Sequence, residues 1–198
     1  MKKRGAVAVA AAGVLAAGAI AGGVWWSGRS HEHEAKPSAM CTTTSQHAQA
    51  RAVAQLCAAL RDGGLPELLG VPGERTQQAM SFGGPGSDED SDAVVHEVVR
   101  VGPYTVSLSQ HRGFPLTDML DGGRLTVGGH RADWFSASAN GERFWTVEAA
   151  WDVTDSGAGV YSVEVANEHA PLGKEETLRL STAVAEKVMP RLPGWRSQ

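Results

Sequence analysis

Beyond residue 45 the apolar positions change period along the chain. Between Gln46 and Arg61, the residues Ala50, Val53, Leu56, Cys57 and Leu60 recur at three- and four-residue intervals, which is one face of a helix. Thr44 or Ser45 can cap its start, and Gly63-Gly64 ends it. Residues 65–70 (LPELLG) read as a further helical turn with Pro66 near its start. The period then shortens. Thr76–Phe82 is a weak strand candidate, and Ala93–Val101 is rich in valine without clean alternation, so both of its faces are covered or a bulge intervenes. Tyr104, Val106 and Leu108 alternate with Thr105, Ser107 and Ser109, the pattern of a half-buried strand. Arg124–Val127 and His130–Ser138 flank Gly128-Gly129, a hairpin turn, and Asn140-Gly141 marks the next one. Trp145, Val147, Ala149, Trp151 and Val153 then share one face, as do Tyr161, Val163 and Val165. From Glu175 to Leu192 the helical period returns. Leu178, Ser181, Val184, Ala185, Val188, Met189 and Leu192 form its apolar stripe, and Pro190 kinks or ends it.

The order is helix, about six mostly antiparallel strands joined by short turns, and a C-terminal amphipathic helix packed on the sheet. That is an α+β domain.

The first 26 residues have no such period. Met1–Arg4 is a basic tip, and residues 5–26 carry no charge. As a helix, a run of that length spans ~33 Å, enough for a bilayer core of ~30 Å. The basic tip places the N-terminus in the cytoplasm and the remainder outside. Trp25 and Trp26 stand at the outer end of the run, where interfacial aromatics belong, and favour a retained transmembrane anchor. Ala17-Gly18-Ala19 and Ala19-Ile20-Ala21 fit a cleaved signal peptide and secretion instead, so both routes stay open. Residues 27–40 make a polar stalk, and residues 41–195 make the extracytoplasmic domain. Cys41 is no lipidation site, because charged residues separate it from the apolar run.

Charge changes the picture in one respect. The net charge is −4, and the basic tip lies in the first four residues, so the outer part is more acidic than the whole. A negative domain repels phosphate backbones, which argues against nucleic-acid binding. Arg outnumbers Lys 13 to 5, a bias of GC-rich genomes that suggests an actinobacterial source. Two cysteines in an exported chain favour a disulfide, Cys41–Cys57.

Candidate chemistry is sparse. Asp88, Asp90 and Asp92 begin like a calcium loop, but Ala93 replaces the turn glycine and Val99 the closing glutamate. His31, Glu32, His33 and Glu34 lie in the stalk without further ligands. No metal site and no cofactor is therefore expected. His96, His111, His130 and His169 are isolated, and no nucleophile motif or phosphate loop accompanies them. No catalytic residue is assigned. Trp134 stands next to Phe135, so one of the two rings must leave the core; Trp134, Phe135 and His130 are the candidate ligand surface.

The stretches "VGGHRADWF" and "LRLSTAVAEKVMPRLPG" resemble uncharacterised exported domains of actinobacteria. Those are secreted or membrane-anchored envelope proteins of unknown function, many of them lipoproteins. The resemblance implies a PsbP-like α/β/α sandwich over roughly residues 41–195, with an antiparallel sheet between helices, and it implies no catalytic residue. The expected protein is a single-pass membrane protein whose outer domain binds a small ligand or an envelope protein without catalysis. The alternative is a secreted or surface hydrolase with an active site outside the known motifs. A structural component of the envelope is a third reading. A cleft joining His111 or His130 to a carboxylate and a hydroxyl would favour the enzyme; an apolar groove or flat aromatic patch would favour binding. The oligomeric state is left open.

Overall fold

The computed structural model of the chain describes residues 41, 48–83, 94–111, 122–139, 142–150 and 159–195. The apolar run, Trp25-Trp26, the stalk and the acidic stretch 84–93 lie outside the described residues. Among the described residues no helix is long and apolar enough to cross a membrane.

The chain forms α1 (Ala48–Arg61), α2 (Leu65–Leu68), β1 (Thr76–Gly83), β2 (Val95–Val101), β3 (Tyr104–His111), β4 (Gly122–Val127), β5 (His130–Ala139), β6 (Glu142–Ala150), β7 (Val160–Asn167) and α3 (Lys174–Val188). A 3₁₀ turn, Met189–Arg191, follows α3. Seven strands make one sheet in the order β1-β2-β3-β7-β6-β5-β4, and every neighbouring pair is antiparallel. The sheet is two meanders, β1–β3 and β4–β7, joined edge to edge where β3 meets β7. The count is one above the six expected. The weak candidate Thr76–Phe82 became one edge strand, β1, and Gly122–Val127 the other.

Alternation sends one row of each strand toward the helices. Val99, Val101, Val106, Leu108, Val147, Ala149, Tyr161, Val163 and Val165 meet Leu56, Leu60, Leu180, Val184 and Val188 in a single core. Both long helices cover this same face. α1 lies over β1–β3 and α3 over β6 and β7. A Cβ on Gly63, just past α1, would come within 3.0 Å of Val188 near the end of α3, so the two helices also close on each other. Among the described residues the domain is thus broadly α+β, with the apolar stripes of both long helices turned to one core.

Local chemistry sets the element ends. Gly128 and Gly129 both have positive φ (55° and 86°), which a two-residue hairpin turn requires of its central residues. Pro190 ends α3 at Val188 and starts the 3₁₀ turn, since it lacks the N–H that another α-turn needs. β2 lacks alternation because Val98 is buried on the face away from the helices, while Glu97 interrupts the valines on the helix face. The bulge lies in its partner, between Gln78 and Met80 of β1.

Cys41 and Cys57 are joined, with Cα atoms 5.1 Å apart. The cross-link spans 16 residues in sequence and ties Cys41 to the buried face of α1. In the chain-entropy account a loop of that size contributes ~3 kcal/mol. Reduction should lower the unfolding free energy in urea by about that amount, measured with and without dithiothreitol; an unchanged midpoint would show that the link adds nothing.

The β4 edge depends on glycine for close approach. A Cβ on Gly122 would sit 2.4 Å from the Trp134 carbonyl oxygen, and one on Gly123 2.8 Å from the Trp134 indole nitrogen. Gly122→Ala should push β4 off β5 and cost on the order of 1–3 kcal/mol in urea unfolding, whereas Gly128→Ala should strain only the turn.

Candidate functional site

The face of the sheet turned away from the helices is polar. One row of it crosses all seven strands: Phe82, His96, Ser109, Ser162, Glu148, Asp133 and Arg124. A second row beside it runs Met80, Val98, Ser107 and Glu164, and continues through Thr146, whose hydroxyl donates to Glu164 Oε2 at 3.5 Å. His111 lies two residues beyond Ser109 on β3.

Side chains on this face pair across strands. Nδ1 of His96 and Oγ of Ser109 are 2.6 Å apart. Nε2 of His111 meets Oε1 of Glu148 at 3.2 Å. These two residues sit on β3 and β6, with β7 between them. Strands lie ~4.8 Å apart, so the imidazole and the carboxylate must meet above β7, over the Val160–Ser162 segment. Asp133 and Glu148 are direct cross-strand neighbours, and both are almost fully buried (3% and 2% exposed). Two carboxylates so placed repel each other, and His111 gives one of them a partner.

Burial also acts on the ionisable groups. It pushes the Glu164 carboxyl up to about 7, with the Thr146 hydrogen bond opposing it in part. Burial likewise lowers the His96 imidazole below its ordinary range, so it stays neutral at neutral pH. A neutral imidazole next to a hydroxyl can accept its proton, and a protonated carboxyl can donate one.

The face has an apolar corner. Phe82 is the cross-strand neighbour of His96, and Val94 precedes it by two residues on the same side. Both are exposed, at 39% and 37%.

The helix side has its own polar features. Glu97 is fully buried there; its Oε2 accepts from the Ser81 hydroxyl, while Oε1 has no hydrogen-bond partner among the described residues. Gln78 Nε2 donates to the same Ser81 oxygen. Burial raises the Glu97 carboxyl, with the Ser81 and Gln78 contacts opposing that rise. His130 is buried against Trp195, with ring centroids 4.0 Å apart. Trp134 is half-buried on the same side, and the Lys174 ammonium lies 3.8 Å from its ring centre. Phe135 points to the opposite face and is buried. The three residues singled out in the sequence as a ligand surface thus do not share a face. Among the described residues no group of three or more His, Cys, Asp or Glu is placed to hold a metal ion. The Asp88–Asp92 and His31–Glu34 candidates lie outside them.

His96, Ser109, Glu148 and Glu164 carried no motif. Alternation puts Ser107 and Ser109 on one face and Glu148 with Thr146 on one face, but only the register brings β2, β3, β6 and β7 together.

A family model extends over residues 1–124, more than half of the chain. The chain belongs to DUF6215, a family of unknown function. The match takes in the apolar run, α1 and β1–β3, and stops inside β4. His96, Ser109 and His111 therefore fall within the DUF6215 match, and Glu148, Ser162 and Glu164 beyond it. No curated protein and no solved structure matches the chain.

Glu164 sets a pH dependence. Its folded value lies above its ordinary value of 4.5, so the folded state holds the proton more tightly. The stability it contributes is fully present below about 4.5 and is lost as pH rises through about 7. His96 acts in the opposite direction, weakening the fold as acid charges the unfolded imidazole. The informative quantity is therefore the difference between the wild type and Glu164→Gln. The variant should gain relative to the wild type between pH 5 and 8, by at most ~3 kcal/mol; a constant difference across that range would mean the carboxyl is not shifted.

Proposed function

We propose that this DUF6215 protein is an extracytoplasmic domain held at the cell membrane by residues 5–26, and that it binds an envelope protein or a small ligand on the sheet face opposite α1 and α3. The observation that carries the binding reading is that face itself: His96 with Ser109, His111 with Glu148 and Thr146 with Glu164, beside exposed Phe82 and Val94. Isolated strand faces of this kind are normally either covered or plainly solvated. Here the buried Glu148 and the partly exposed His96 and His111 lie next to apolar side chains, the mixture found where orientation and affinity are both needed.

The tether rests on the uncharged run and on Trp25-Trp26, and the outer location rests on the basic tip and on the disulfide, which persists in oxidising compartments. The Arg bias supports an actinobacterial envelope as the setting.

Each part has its own test. After carbonate extraction of host membranes the full chain should stay in the pellet; release of a chain starting near Ile20 or Gly22 would remove the tether. A photo-crosslinking residue placed at Ser107, on the helix-free face, should give a discrete adduct in native envelope. The same residue at Glu186, exposed on α3, should not. Equal adducts at both positions, or an adduct only at Glu186, would overturn the choice of face.

A further inference from the structure

We propose that Ser109 is a nucleophile, with His96 as its base, and that the site acts on esters carrying an apolar acyl group. The inference goes beyond binding and rests on the helix-free face being where the ligand arrives.

Three separate features meet at Ser109. First, its hydroxyl lies 2.6 Å from His96 Nδ1, a distance at which the hydroxyl can donate to the imidazole. The pair is held rigidly, because His96 and Ser109 are register partners on adjacent strands rather than loop residues. Both are partly exposed. Secondly, the most exposed large apolar side chains among the described residues, Phe82 and Val94, flank His96 across the strand and along it. With Met80 on the same face of β1, they put apolar side chains beside the hydroxyl where an acyl chain can lie. Thirdly, His111 and Glu148 form a second imidazole–acid pair one step further along β3, so ionisable groups border the other side of Ser109. Burial lowers the His96 imidazole, which keeps it in the neutral form at neutral pH.

The reaction balances with water alone. The Ser109 oxygen attacks the ester carbonyl carbon while its proton passes to His96 Nδ1. The carbonyl carbon–alkoxy bond then breaks, and His96 returns the proton to the departing alcohol. Water repeats the sequence on the acyl-serine, releasing the carboxylic acid and restoring Ser109.

The test uses the full-length chain in detergent with its disulfide intact. A fluorophosphonate probe should label the wild type at Ser109, located by peptide mass spectrometry. Labelling should vanish in Ser109→Ala and fall at least tenfold in His96→Gln. p-Nitrophenyl butyrate should be hydrolysed faster than the acetate, and Phe82→Ala should erase that preference. No label at Ser109, or an undiminished label in His96→Gln, would overturn the nucleophile; equal rates for the two esters would overturn the acyl subsite. Should His96→Gln fail to fold, the wild type decides alone. Its labelling rate must climb as pH rises through the titration of one imidazole, and a flat profile refutes the base. Loss of labelling with the Ser107 adduct intact removes only the chemistry, and the reverse removes only the partner.

Discussion

The pairing of β3 with β7 holds the domain together. Each meander sits under its own helix. Their union from Tyr104–Asn167 to His111–Val160 makes one sheet and lets Val106, Leu108, Val163 and Val165 form the middle of one core. The Glu168 N–H continues the ladder by donating to the Pro103 carbonyl at 2.8 Å, and Arg100 reaches Glu168 at 2.7 Å. The backbone bonds matter more than the exposed ion pair, since surface pairs contribute only ~0–1 kcal/mol. α3 is fastened to the same seam, where the Val165 N–H donates to the Ser181 hydroxyl at 3.1 Å.

Placing both helices on one side has a cost on the other. The face opposite α1 and α3 keeps apolar residues such as Val98 and Val160, yet the rows around them carry Asp133, Glu148 and Glu164. A buried carboxyl must lose its charge or find a partner. Glu148 meets His111, and Glu164 is held partly protonated.

Much of the layout was legible because burial follows period. The stripes of α1 and α3, the hairpin at Gly128-Gly129 and the partnership of Cys41 with Cys57 all follow from spacing along the chain. Three things were not. The sequence reads the strand only from Arg124, and only Trp134 beneath Gly122 and Gly123 explains why glycine opens it. The common side of the two helices depends on which meander each covers, which no local pattern encodes. The pairs His96–Ser109 and His111–Glu148 arise from register between residues 13 and 37 apart in sequence, and a serine in an alternating strand looks the same with or without an imidazole opposite.

The end of the folded unit is not the end of its last helix. Tyr161, fully buried in the middle of β7, donates its phenol to the carbonyl of Pro193 at 2.7 Å, and Trp195 closes over His130. The tail after α3 is thus a plug in the floor of the core. A chain cut after Val188 would keep every long element and still remove the Pro193 acceptor and the buried Met189 and Leu192 from the core. Truncation or proteolysis that removes Leu192–Trp195 therefore acts on the core itself.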